Sequence, residues 1–173
     1  MPKKTIKHVK SPEIALDDFT IFVAGGISGT GVWQDRMFDL IAAAYRDVKP
    51  PLDLTVVNPR QIDYIKTDSA VKTQIEWEYK HLAKCSAIMF WFPKETVCPI
   101  TLFELGKWIR SRFLFVGCDP DYSRRLDLKV QLGLERPDVG IVPTLEELAD
   151  QIRWWLVNIQ DYHKVDHGKA RKL

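Results

Sequence analysis

The chain has 173 residues, 46% of them hydrophobic and 28% charged, which suits one globular domain able to bury a full core and argues against two. Its formal net charge is +2, with basic residues gathered at the ends in MPKKTIKHVK and HKVDHGKARKL, which read as solvated tails. No basic stripe with interleaved aromatics and no nucleic-acid-binding module is visible, so a nucleic-acid polymer is not an expected partner. Short apolar runs alternate with helical patterns. Strands are expected near Thr20 to Ala24, Leu54 to Val57, Ala87 to Phe92, Phe113 to Val116 and Gly140 to Val142. Helices are expected at Trp33 to Val48, Ala70 to Lys84, Pro99 to Arg112, Ser123 to Leu134 and Thr144 to Asn158. Pro50-Pro51 stops the first helix, Pro99 suits a first helical turn, and Thr144 with Glu147 forms a capping-box pattern. This βα rhythm predicts a single α/β domain built on a five-stranded parallel sheet with helices on both faces, flavodoxin-like or Rossmann-like. Ligands in such sheets sit beyond the carboxyl ends of the strands, so the loops after each strand are the places to look.

The three cysteines, Cys85, Cys98 and Cys118, are widely spaced in apolar contexts and read as buried thiols of a reducing compartment. A cytoplasmic protein is the expectation. No run approaches the roughly 20 apolar residues a membrane span needs, and the basic start is not followed by the apolar core of a signal peptide. His163 and His167 stand one helical turn apart, as metal ligands can, but no acidic or thiol partner clusters with them, so no metal is expected.

The loop after the first predicted strand reads VAGGISGTGVWQDR. Gly25, Gly26, Gly29 and Gly31, with Ile27 and Ser28 among them, permit backbone turns and close approach to a ligand, and Trp33 offers a stacking plane. The spacing is neither the dinucleotide fingerprint nor a phosphate-binding Walker loop, so no nicotinamide or ATP cofactor is expected. After the next strand, Asn58 and Arg60 in VNPR offer amide and guanidinium donors to a sugar, base or phosphate. Trp91, in the aromatic run FWFP, is either core or part of a ligand cage.

Two carboxylates stand out. Glu78 lies on the stripe Val71, Ile75, Glu78, Leu82, and Glu104 on the stripe Ile100, Glu104, Trp108, so each is expected to project from a helix face that docks on the sheet. A carboxylate in that company is paired, at the rim, or chemically employed. Such a pair suits an acid and a nucleophile, and a position near a helix N-terminus would favour the ionised form of Glu104 through the helix dipole.

At these residues the chain resembles the nucleoside 2-deoxyribosyltransferase family, in its broader transferase-like branch. The resemblance spans about Phe19 to Ile152 and rests on FVAGGISG with Trp33, on NPR, on QIEWE with FWFP, on PITLFELGKW, and on DPDYSRRLDLKVQLGLERPDV. It implies that Glu104, in the ELG motif, is the nucleophile, and that Glu78 on the preceding helix assists at the sugar and base. The implied reaction cleaves an N-glycosidic bond through a covalent deoxyribosyl-enzyme intermediate. Its substrates are a nucleoside or nucleotide and a free nucleobase, with transfer favoured over hydrolysis and a non-catalytic nucleotide sensor as the rival. The family's aspartate just before the nucleophile helix is missing, with Cys98 at about that place, and Ser28 stands where related deoxynucleotide hydrolases carry an arginine. The resemblance also implies a homo-oligomer, to which Trp154-Trp155 on the last helix would lend apolar area.

Overall fold

The computed structural model describes residues 5–15, 19–46, 48, 53–61, 67–111 and 113–169, with side chains described up to 159. Pro50-Pro51, Arg112 and the last four residues lie outside the described residues, as do the side chains of His163 and His167. The elements follow in the order β1 (Ile6–Lys10), β2 (Phe19–Gly25), α1 (Trp33–Tyr45), β3 (Leu54–Asn58), α2 (Asp68–Lys84), β4 (Ala87–Phe92), α3 (Pro99–Trp108), β5 (Leu114–Cys118), α4 (Arg125–Glu135), β6 (Ile141–Val142) and α5 (Leu145–Lys169). The sheet is wholly parallel, in the order β1-β3-β2-β4-β5-β6. It is a flavodoxin-like or Rossmann-like α/β fold.

One expectation is corrected. The sheet has six strands rather than five, because IKHVK, read as part of a solvated basic end, is β1. Ile6 to Lys10 pair in register with Leu54 to Asn58 of β3. An edge strand needs a partner on one side only and tolerates lysine, so its mixed charge does not disqualify it. Lys10 bonds Asp35 of α1 at 2.8 Å, and the His8 ring stacks on Phe38 at 4.2 Å, which fastens the edge to the α1 layer.

The β4 sequence AIMFWF is buried at every position, as expected of a parallel strand covered on both faces. Its alternate residues divide between two cores. Ala87, Met89 and Trp91 join Ile21 and Val23 under α1 and α5, while Ile88, Phe90 and Phe92 join Phe22 and Ala24 under α2, α3 and α4. On α1, Trp33, Met37, Ile41 and Tyr45 recur every fourth residue and form the buried stripe. At the start of α2, Thr67 caps the helix through Ala70 N (3.2 Å), and at α5 Thr144 and Glu147 bond reciprocally, Glu147 N to Thr144 Oγ1 at 3.1 Å.

A second correction concerns helix rotation. The face of α2 turned to the sheet carries Trp77, His81 and Leu82, and Ile75 is 58% exposed; on α3 it carries Thr101 and Leu105, and Ile100 is 66% exposed. Several stripes of similar apolarity can be drawn on these helices, and the bulk of Trp77 decides between them: its ring lies against Phe22 and its indole N–H reaches Glu13 O at 2.7 Å. Trp155 is likewise core, only 1% exposed between the Phe113 and Phe115 rings, and Trp154 alone of that pair faces outward.

Candidate active site

The chain leaves β2 for β3 on one side and returns from β3 to β4 on the other, so the order of strands reverses at the carboxyl ends of β2 and β4, where such folds open a crevice. The glycine loop after β2 meets the β4–α3 loop there. A Cβ on Gly25 would lie 2.4 Å from the Trp33 ring and 2.5 Å from Trp91 O, and one on Gly26 would lie 2.6 Å from Cys98 Sγ. These two glycines are therefore required by close packing of the protein on itself. Trp33 is buried beneath the turn and donates its indole N–H to Gly26 O at 2.8 Å; Trp91 is buried in the sheet core. Ile27 is half-buried, while Ser28 and Gly29 are exposed at the loop tip, with Gly29 in the left-handed region at φ 75°.

Arg60 faces inward rather than outward. Its Nε donates to Gln34 Oε1 at 3.1 Å and its Nη2 to Ile27 O and Gly31 O, each at 3.0 Å, so the guanidinium clamps the glycine loop to the end of β3. Asn58 is buried, accepts from Arg60 N at 2.9 Å and bonds the His8 ring at 3.1 Å. The polar groups after β3 thus form the frame of the loop.

The glutamates lie on neighbouring helices over the same face of the sheet. Both are partly buried. Burial raises the Glu78 carboxyl above its ordinary value, opposed by a hydrogen bond from Gln74. Burial, then the charge of Glu78, push Glu104 up to about 7, opposed by Lys107. The helix-dipole expectation for Glu104 is thus reversed: it is the sixth residue of α3, beyond the first turn where the dipole acts. The Tyr79 and Trp108 rings, 5.9 Å apart, join α2 to α3 beside the pair, and Lys107 Nζ stands 4.1 Å over the Tyr79 ring. Neither of the two principal cavities is lined by Glu78 or Glu104: one of about 510 Å³ lies at the amino end of β5 against α5, the other, about 440 Å³, between α3 and α4.

The family model for nucleoside 2-deoxyribosyltransferase-like proteins matches residues 18–122, which takes in the glycine loop, both glutamates and the start of the loop after β5. The chain belongs to that family. Its members' description places this transferase-like chain among enzymes of the glycosyl-transferring or N-glycosidase type, acting on nucleosides and bases. No curated protein matches the chain. Among solved structures, an azoreductase from Bacillus anthracis str. Sterne is similar at 10% identity over 82% of this chain and 98% of its own, with a TM-score of 0.35, and no argument rests on it. Among the described residues of this family member there is no group of three metal-ligating side chains, and no helix is long and apolar enough to cross a membrane.

Sequence reading missed Gln74 and Ser11 beside Glu78, and the conformation of Cys98. Cys98 caps α3 in the left-handed conformation at φ 50°, and burial pushes its thiol up to about 11, so it is no thiolate at neutral pH. Nothing in the pattern Cys-Pro signals a left-handed residue. Gln74 and Ser11 meet beside Glu78, at 2.6 Å, from segments 63 residues apart, a juxtaposition that only folding creates.

Proposed function

We propose that this protein cleaves the N-glycosidic bond of 2′-deoxynucleosides by a two-step retaining displacement, with Glu104 as nucleophile and Glu78 as acid, and passes the sugar to another base. The observation that carries this reading is the placing of two partly buried carboxyls on neighbouring helices inside the matched family region, where the charge of Glu78 bears on Glu104. Two like charges in one poorly solvated place resist ionising together, so below the ionisation of Glu104 near 7 the pair holds a proton between them. With the anomeric carbon against Glu104 and the base against Glu78, the developing positive charge of the sugar favours the anion on Glu104, and the proton falls to Glu78. The Glu104 oxygen then bonds the anomeric carbon, the departing base takes the electron pair of the broken bond, and Glu78 supplies its proton. In the second step an acceptor base gives its N–H proton to the Glu78 carboxylate and bonds the anomeric carbon from the face opposite Glu104, whose oxygen leaves with the electron pair of the broken ester bond.

The substrate-binding surface in this reading is the exposed edge of the glycine loop, Ile27 to Gly29, with Gly25, Gly26, Trp33 and Trp91 shaping it from beneath and Asn58 and Arg60 bracing it. Because Arg60 is turned into that loop, the free nucleoside is used at least as well as its 5′-monophosphate.

A second copy of the chain belongs to the proposal. On α2, α3 and α4, which carry the two glutamates or neighbour them, Ile75, Tyr79, Ile100, Phe103, Leu126, Val130 and Leu134 are each at least half exposed. A homo-oligomer through α2, α3 and α4 would cover these apolar side chains.

The test is incubation with each 2′-deoxynucleoside and each 5′-monophosphate, with and without a free base, followed by chromatography. Base exchange supports transfer, free deoxyribose would assign hydrolysis, and no turnover of any of them would leave a nucleotide-binding protein without this chemistry.

A further inference from the structure

The amide of Gln74 is fully engaged. Its nitrogen donates to Pro59 O at 2.8 Å and to Glu78 Oε1 at 2.7 Å, and its oxygen accepts from Ser11 Oγ at 2.6 Å and from Gln61 Nε2. The orientation of this amide is settled by chemistry, since Pro59 O can only accept and must therefore face the NH2 group. Gln61 Nε2 also reaches Ser11 Oγ at 3.0 Å, so the β1–β2 loop, the β3–α2 loop and α2 are tied at one point. That point lies one helical turn from Glu78.

We propose that Gln74 is a positioning residue which holds Glu78 by its Oε1 and thereby leaves Oε2 as the oxygen that carries the transferable proton. The inference rests on the reading of Glu78 as the acid. A carboxyl oxygen that already accepts a hydrogen bond from an amide is the poorer place for a proton, because O–H and N–H would then face each other. The proton of the neutral acid therefore sits on Oε2. When the glycosidic bond breaks, the Oε2–H bond breaks with it, a base nitrogen gains the hydrogen, and the bond electrons remain on Oε2 while Oε1 keeps its contact with Gln74.

The same bond favours the anion of Glu78 against the burial that disfavours it. The other groups around Glu78 act differently. Glu104 and, behind it, Lys107 approach from α3. His81, one turn along α2, is committed to Trp77 O and Ala15 N, and Arg60 to the glycine loop. Gln74 is thus the one described side chain whose hydrogen bond bears directly on this carboxyl.

The experiment has two readouts on full-length protein. With glutamate side chains labelled in their carboxyl carbons, the NMR titration of Glu78, assigned by its loss in Glu78→Gln, should move upward by about one pH unit in Gln74→Met, a tenfold weaker acid. In turnover, Gln74→Met should lower kcat/KM about tenfold for ordinary 2′-deoxynucleosides and move the pH profile of the pair upward. It should change an N7-methylated purine deoxynucleoside by less than about twofold, since a cationic base leaves without a proton. An unmoved Glu78 titration, or equal losses with both substrates, would overturn the proposal. A titration that moves in a protein turning over no nucleoside at all would uphold the hold of Gln74 on Glu78 and defeat the glycosyl reading instead. Should Gln74→Met fail to fold, Gln61→Met frees one of the two donors that fix the amide oxygen, and a smaller upward shift is expected, with none counting against.

Discussion

Replacing Glu104 by Gln preserves the side chain's size while removing its charge, so it separates the carboxylate's packing from its chemistry. In the folded protein this carboxyl is raised from 4.5 to about 7, first by burial and then by Glu78. A raised carboxyl binds its proton more tightly folded than unfolded. The wild-type protein therefore loses stability relative to Glu104→Gln as pH climbs from about 4.5 to about 7, and the gap is constant above that. At about 1.4 kcal/mol per pH unit the full effect is about 3 kcal/mol, and residual solvent access trims it to about 2. Urea unfolding of both proteins at pH 4 and pH 8 measures it: nearly equal midpoints at pH 4, and the variant more stable by about 2 to 3 kcal/mol at pH 8. If Glu104 is the nucleophile, the same substitution lowers turnover by several orders of magnitude, so the variant is more stable and less active. A stability gap that does not change with pH would show that Glu104 is an ordinary rim carboxylate and would remove the physical basis of the pair. Near-normal turnover in Glu104→Gln would remove its role as nucleophile.

A 2-fluoro-2-deoxyarabinosyl nucleoside should leave its sugar on the peptide containing Glu104, as mass spectrometry would read; a label on Glu78 exchanges the two roles. With ordinary substrates, kcat/KM should follow a bell-shaped pH profile set by the two ionisations of the coupled pair, and Glu78→Gln should reduce it to a single limb. Because Arg60 is bonded into the glycine loop, the free nucleoside should be used at least as well as its 5′-monophosphate, and a large preference for the monophosphate in steady-state kinetics would contradict this. Light scattering should report an oligomer that Phe103→Glu converts to monomer, since Phe103 is 71% exposed on the face proposed to be covered; a wild-type monomer at working concentration would refute it.

The sequence by itself determined the parts whose signal is local. The run AIMFWF read as a strand, the pattern from Trp33 onward read as a helix, and Thr144 with Glu147 marked a helix start, because run length, helix period and capping are written within a few residues. The motif order likewise carried the family. What the tertiary structure decided are matters of who meets whom. IKHVK became a strand because β3 had an open edge to offer it. The inner faces of α2 and α3 were chosen by the docking of Trp77 and Leu105 on the sheet, which moved Glu78 and Glu104 from core-facing stripes to a half-buried flank. Glycines that sequence alone reads as room for a ligand are filled by Trp33, Trp91 and Cys98, and a donor that reads as a phosphate contact, Arg60, is turned to the loop. The height of the Glu104 pKa belongs to the same class. It depends on a second carboxyl 26 positions earlier in the chain, and coulombic energy follows distance through space, which a linear sequence does not contain.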